Sequence, residues 1–316
     1  MLIASQKKVY TLSLESGAIN PRYEGQIACI AESSQADLIA LEDGRIVVIS
    51  PGREGKPDDG NVPYEIVTGI EGRITSILQL PATGTIELLI GTEPPHLYRS
   101  QGGPAERIEA FDQLDCREDW YTPWGGPPAV RTLAMTTDGH VYADIHVGSI
   151  MHSSDHGRSW KPVTPELNVD VHQVATTPAD DDFVAANTAN GPWVSFDRGE
   201  SWQHRAGEPL RNRYGRAIAV DPNNASRMLV SVSDGPHGYN VHGQLYLTED
   251  AGQTWTHISD PFPDQTPVNI NTRRLAFSPD GRAWATAAAT LYGSDQTGQF
   301  QEIHTFEEEL EFLAVG

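Results

Sequence analysis

The chain has 316 residues, 38% of them hydrophobic, which is enough to bury a full core, and no window approaches the ~18 consecutive apolar residues of a membrane helix. Its 43 acidic against 22 basic residues leave a net charge of -21, so the surface as a whole is a poor partner for nucleic acid or an anionic bilayer. Two cysteines, Cys29 and Cys116, supply neither a disulfide framework nor a CxxC metal spacing and read as free thiols.

The start, MLIASQKKVYTLSLESG, enters strand-like alternation within a few residues and has no basic or long apolar leader region, so a cytoplasmic location is expected. Short strands then follow one another: QIACIAES, DLIALEDG and RIVVIS, next RITSILQL from Arg73, IELLIGT and HLYRS. From Arg131 onward the order is regular. A first strand (RTLAMTTD, HQVATTP, RAIAVDP, RLAFSPDG) ends on a turn signal such as TTDG or SPDG, and second strands follow (HVYADI, DFVAAN, RMLVSVS, RAWATAA). Third strands (SIMHSS, PWVSF, GQLYLTE, TLYGS) lead into a recurring octapeptide.

That octapeptide is SSDHGRSW at Ser153 to Trp160, SFDRGESW at Ser195 to Trp202, TEDAGQTW at Thr248 to Trp255 and a weaker GSDQTGQF at Gly293 to Phe300. Its aspartates, Asp155, Asp197, Asp250 and Asp295, lie 42, 53 and 45 residues apart, the length of one four-stranded propeller blade. First strands open at Ile27, Arg73, Arg131, His172, Arg216 and Arg274, and LEFLAVG from Leu310 makes a seventh. The fold expected is all-β: a single seven-bladed β-propeller over residues 1–316, closed by pairing the C-terminal strand (about 310–315) with the N-terminal hairpin. Blade limits fall at 309–316 with 1–25, then 26–66, 72–111, 129–165, 168–210, 214–262 and 270–306. Long inserts are expected at Gly52 to Pro63 and Asp112 to Pro128, where function tends to gather.

The pattern SxDxG(x)(S/T)W resembles the Asp-box, or BNR, repeat of sialidases, other glycosidases, sortilin-type receptors and photosystem II assembly-factor-like propellers. The resemblance implies a propeller blade and little about activity. It assigns the aspartate to a turn between third and fourth strands rather than to catalysis, with the tryptophan packed between blades. The sialidase subset implies six blades and a Phe/Tyr-Arg-Ile-Pro motif. The nearest match here, GRIT at Gly72 to Thr75, lacks both the aromatic and the proline, which disfavours a sialidase.

In a propeller the residues that open first strands sit at the channel mouth, so Arg73, Arg131, His172, Arg216 and Arg274 are expected to converge there. Loops on the same face add His146, His237, Asn240 and His242, and the insert adds Trp124. Guanidinium forks bind carboxylate or phosphate bidentately, so an anionic small molecule or acidic peptide segment is the expected ligand. The same arginines equally suit a structural role, pairing with acids between blades. An alternative is a hydrolase or lyase for an anionic or glycan-like substrate, with His172, Tyr214 and Asp119 as candidates for proton transfer or nucleophilic attack; no motif of fixed spacing backs them. A second alternative is a divalent transition metal, enzymatic or carried, on His96, His146, His172, His237 and His242, against which the neighbouring arginines count. No other cofactor is expected.

Overall fold

Each blade begins where a run of aliphatic and β-branched residues ends on a turn that only certain residues can make. Gly139 and Gly281, with φ of 94° and 80°, close two of these turns by donating to Thr136 O and Ser278 O at 3.1 and 2.8 Å. The computed structural model describes all residues except 34, 51–62, 83–84, 164, 237, 296 and 316. The insert expected at Gly52 to Pro63 therefore lies, up to residue 62, outside the described residues.

Seven four-stranded antiparallel sheets result. Six are meanders in chain order, their innermost strands being Ile27–Glu32, Arg73–Leu80, Val130–Met135, Val171–Thr177, Tyr214–Asp221 and Leu275–Phe277. The remaining sheet is built from both ends of the chain. Phe312–Ala314 pairs antiparallel with Leu2–Ala4, setting Leu313 opposite Ile3, and Lys8–Leu12 and Ile19–Glu24 complete it. We count this closing sheet as the first blade. Closure satisfies backbone groups that would otherwise form two open edges.

Core residues lie between adjacent sheets. Between the fifth and sixth blades Phe183, Ala185, Val194, Ile218, Met228 and Val230 form one such layer. Phe183 is fully buried there, worth about 1.5–3 kcal/mol. The only helices among the described residues are Glu109–Asp112, which leads into the second insert, and a 3-10 turn at Asp115–Asp119 within it. Phe111 and Trp120 anchor this insert, their ring centroids 5.6 Å apart and Phe111 also 5.5 Å from Trp160.

The octapeptides form the expected turns. Asp155 Oδ1 accepts from the backbone of Arg158 and Ser159 at 2.9 and 2.8 Å, while Ser153 Oγ accepts from Gly157 N at 2.8 Å. Gly157 has φ 79°, and Trp160 donates its indole N–H to Gly157 O at 3.1 Å while packing into the core. Asp197 and Asp250 repeat the arrangement. The degenerate box keeps the acceptor: Asp295 takes N–H groups from Thr297 and Gln299 at 2.8 and 3.0 Å.

Candidate functional site

In five blades the innermost strand skips register after its first or second pair: between Ile27 and Cys29, Ile74 and Ser76, Val130 and Thr132, Val171 and Gln173, and Gly215 and Ile218. Such a bulge takes a residue out of the ladder and re-aims its side chain. The residues released are Ala28, Thr75, Arg131, His172 and Arg216, the last together with Ala217. Side chains of the second strands accept the N–H groups left over: Asp144 Oδ1 from Thr132 N at 2.9 Å, Ser231 Oγ from Ala217 N at 2.8 Å.

Ala28, Thr75, Arg131 and Arg216 line one cavity of about 380 Å³ at the channel mouth, with Trp124, His146 and Arg273. Arg273 is its floor. The guanidinium crosses the axis and donates to the carbonyls of Thr75 and Arg131, and the same residue borders a second cavity on the far side. Arg131 Nη1 is buried without a hydrogen-bond partner, and burial together with the charge of Arg216 lowers its guanidinium to about 10. Arg216 lies 5.1 Å over the Tyr214 ring and donates to Pro236 O; its Nε is buried without a partner.

Beside the arginines stands a cluster of two histidines, an acid and a tyrosine. His172 Nδ1 is 2.6 Å from Gly215 O, so this nitrogen carries the proton and Nε2 accepts the Tyr214 hydroxyl at 2.8 Å. Asp170 Oδ1 lies 3.2 Å from His172 Nε2 and 4.0 Å from His146 Nε2. Burial pushes His172 down to about 4, against the pull of Asp170; burial and then Arg131 push His146 down to about 3. Burial alone would raise Asp170, yet the neighbouring His172 and the charge of Arg131 hold it below its ordinary value, with Oδ1 buried and without a hydrogen-bond partner. At neutral pH both imidazoles are uncharged and Asp170 is ionised.

Of the residues expected at the mouth, Arg73, Arg131, Arg216, Trp124 and His146 line the cavity, and His172 and Tyr214 sit together next to it. Arg73 reaches the rim but grips Glu42 through two nitrogens at 3.0–3.1 Å. Arg274 does not reach the mouth. It is 2% exposed and bonded to Glu309 and Glu311, because the strand start turns it between blades and gives Arg273 the channel. Asp119 ends the 3-10 turn, exposed and away from the cavity lining. His242 holds Asp234 at 2.6 Å, Asn240 is an exposed residue at φ 65°, and His237 lies outside the described residues.

The histidines of the metal reading are dispersed: His96 is tied to Asp112 at 2.7 Å and His242 to Asp234, and among the described residues no group of three or more His, Cys, Asp or Glu is placed to hold a metal. Asp170, Arg273 and Asp144 were missed by the sequence reading. The signal for Arg273 is there: Ile30-Ala31, Leu133-Ala134, Val174-Ala175, Ile218-Ala219 and Leu275-Ala276 align, and the residue two before each is Ala28, Arg131, His172, Arg216 and Arg273.

A family model described as Sortilin-Vps10 (sortilin, neurotensin receptor 3) matches residues 148–299, which hold three of the octapeptides whole and the fourth but for Phe300. The chain is a seven-bladed β-propeller whose octapeptides are similar to the Asp-box repeat. No curated sequence matches it. Solved structures resemble this propeller along most of its length: an ancestral GH74 enzyme (16% identity, TM-score 0.62, covering 98% of this chain and 40% of that one) and the GH74 enzyme of Niastella koreensis (14%, 0.65, 96% and 50%). YCF48 bound to D1 peptide is a third (16%, 0.57, 87% and 82%). The propeller thus spans half or less of the length of those GH74 enzymes.

Proposed function

We propose that this propeller binds a carboxylate-bearing ligand, a small molecule or an acidic segment, at its channel mouth through Arg131 and Arg216. The observation that carries the reading is the Arg131 guanidinium, buried on the cavity wall with Nη1 unpartnered. An unpaired buried charged donor costs more than the roughly 1–3 kcal/mol of a neutral one, and a bound carboxylate removes that cost. The reading draws support from a similar propeller, YCF48, whose structure was solved bound to D1 peptide. Titration with acetate, phosphate and an acidic peptide, followed calorimetrically, tests the proposal: Arg131→Ala and Arg216→Ala should each weaken binding roughly 10- to 100-fold. Unchanged affinity in both variants overturns it.

A second reading, a hydrolase or lyase for an anionic or glycan-like substrate, draws on the 2.8 Å contact between Tyr214 and His172 with Asp170 behind it. His172 would take the tyrosine proton as Tyr214 or a substrate group reacts. Glycan-degrading activity that Tyr214→Phe abolishes while anion binding persists would support it.

A further inference from the structure

We infer that the ligand of the mouth is a cyclic monocarboxylate with a neutral, hydroxylated ring that offers one apolar C–H face, the chemical class of a hexuronate sugar. The inference rests on the reading of Arg131 and Arg216 as carboxylate donors and adds what the remaining walls demand.

The first argument is charge. Three guanidinium groups, Arg131, Arg216 and Arg273, face the cavity, and two buried or half-buried carboxylates, Asp144 and Asp170, stand among them. One positive charge is left over at depth, which suits a monoanion. At the rim Arg73 answers Glu42, and Glu93 adds a further carboxylate. A dianionic phosphate or a multiply charged peptide would meet that acid rim and the chain's net charge of -21.

The second argument is shape. Trp124 lines the cavity with 59% of its surface exposed, its ring 4.8 Å from that of His146. The loop carrying it is already fixed: Thr122 Oγ1 lies 2.8 Å from Gly125 O and 3.0 Å from Gly126 O, and both glycines have positive φ. A rigid apolar plate beside two guanidinium groups recognises the apolar C–H face of a ring joined to a carboxylate, and its ordering cost is met before the ligand arrives.

The third argument is the unpaired nitrogen. His146 is 6% exposed, lines the cavity and leaves Nε2 without a partner. The imidazole stays neutral, so this nitrogen either donates one hydrogen bond or accepts one. A ligand hydroxyl answers either tautomer, whereas a carboxylate oxygen answers only the Nε2–H form and the unsubstituted edge of an aryl ring answers neither.

The test is calorimetry on the whole chain with D-glucuronate, D-glucose, acetate, benzoate and inorganic phosphate, repeated for Trp124→Ala and Trp124→Phe. Trp124 is exposed on a loop, and circular dichroism checks that both variants keep the fold. Glucuronate is expected to bind about tenfold more tightly than acetate, benzoate or phosphate, and glucose not at all. Trp124→Ala should remove the advantage of glucuronate over acetate, and Trp124→Phe should restore most of the difference. Equal binding of acetate and glucuronate, preference for benzoate or phosphate, or indifference to Trp124→Ala overturns the inference while the carboxylate reading stands. Binding of neither carboxylate, or of glucose as tightly as glucuronate, overturns both.

Discussion

Arg273 and Arg274 are neighbours in the chain and serve opposite ends. The guanidinium of Arg273 reaches across the axis to the carbonyls of Thr75 and Arg131, whereas that of Arg274 is buried between blades and holds Glu309 and Glu311 at 3.0 and 2.9 Å. Arg274→Ala should therefore lower stability by about 2 kcal/mol, discounted because both glutamates reach solvent, and leave ligand affinity as it was. Urea denaturation and calorimetry read the two effects separately. A loss of affinity at unchanged stability would return Arg274 to the mouth.

The octapeptide aspartates predict the same dissociation from another direction. Asp155→Ala strips two backbone N–H groups and two hydroxyls of their acceptor, at an expected cost of about 1–3 kcal/mol. The urea midpoint should fall and binding at the mouth should not change. Loss of binding in a stable Asp155→Ala protein would give the aspartate the chemical role that its turn geometry denies it.

Acid should loosen the ring before it protonates the surface carboxylates. His146, His152 and His172 are held at about 3, 4 and 4, chiefly by burial, against an ordinary value of about 6.5. Below pH 6.5 the unfolded chain takes up protons on these groups and the folded chain does not. Stability is thus full above that pH and falls as pH drops toward 4. Asp144, raised to about 6 by burial, works in the reverse sense over the same window and offsets one of the three. The urea midpoint should decline from pH 7 to pH 4, less steeply in His152→Gln, and a flat profile would contradict the burial of the imidazoles.

Ring closure rests on a three-residue strand. Leu313, 6% exposed and opposite Ile3, should cost about 2–5 kcal/mol on truncation to alanine. Deleting residues 312–316 uncovers the edge of Leu2–Ala4 and should drive self-association visible by size-exclusion chromatography. A truncated chain that stays monomeric and equally stable would show that closure adds nothing.

The blade count was legible because the octapeptide is a turn whose chemistry survives in every copy: Asp155, Asp197, Asp250 and even Asp295 accept backbone N–H groups. The mouth was legible only in part. Strand starts were read from composition, and composition cannot see a skipped register, so Arg73 was favoured where Thr75 takes the bulge and Arg274 where Arg273 faces the channel. Asp170 was passed over because a lone carboxylate in a loop acquires meaning only when the fold sets it between His146 and His172.

The bulges also give the mouth a direction. On the second and third blades they release Ala28 and Thr75, which are small; on the fourth and sixth they release Arg131 and Arg216, which are long and charged. The small residues line one part of the wall and Arg131 and Arg216 another. On the carboxylate reading proposed above, a guest would turn its charged group toward the fourth and sixth blades and its bulk toward Ala28 and Thr75. Exchanging Ala28 or Thr75 for larger side chains would resize the seat while leaving the charged wall in place.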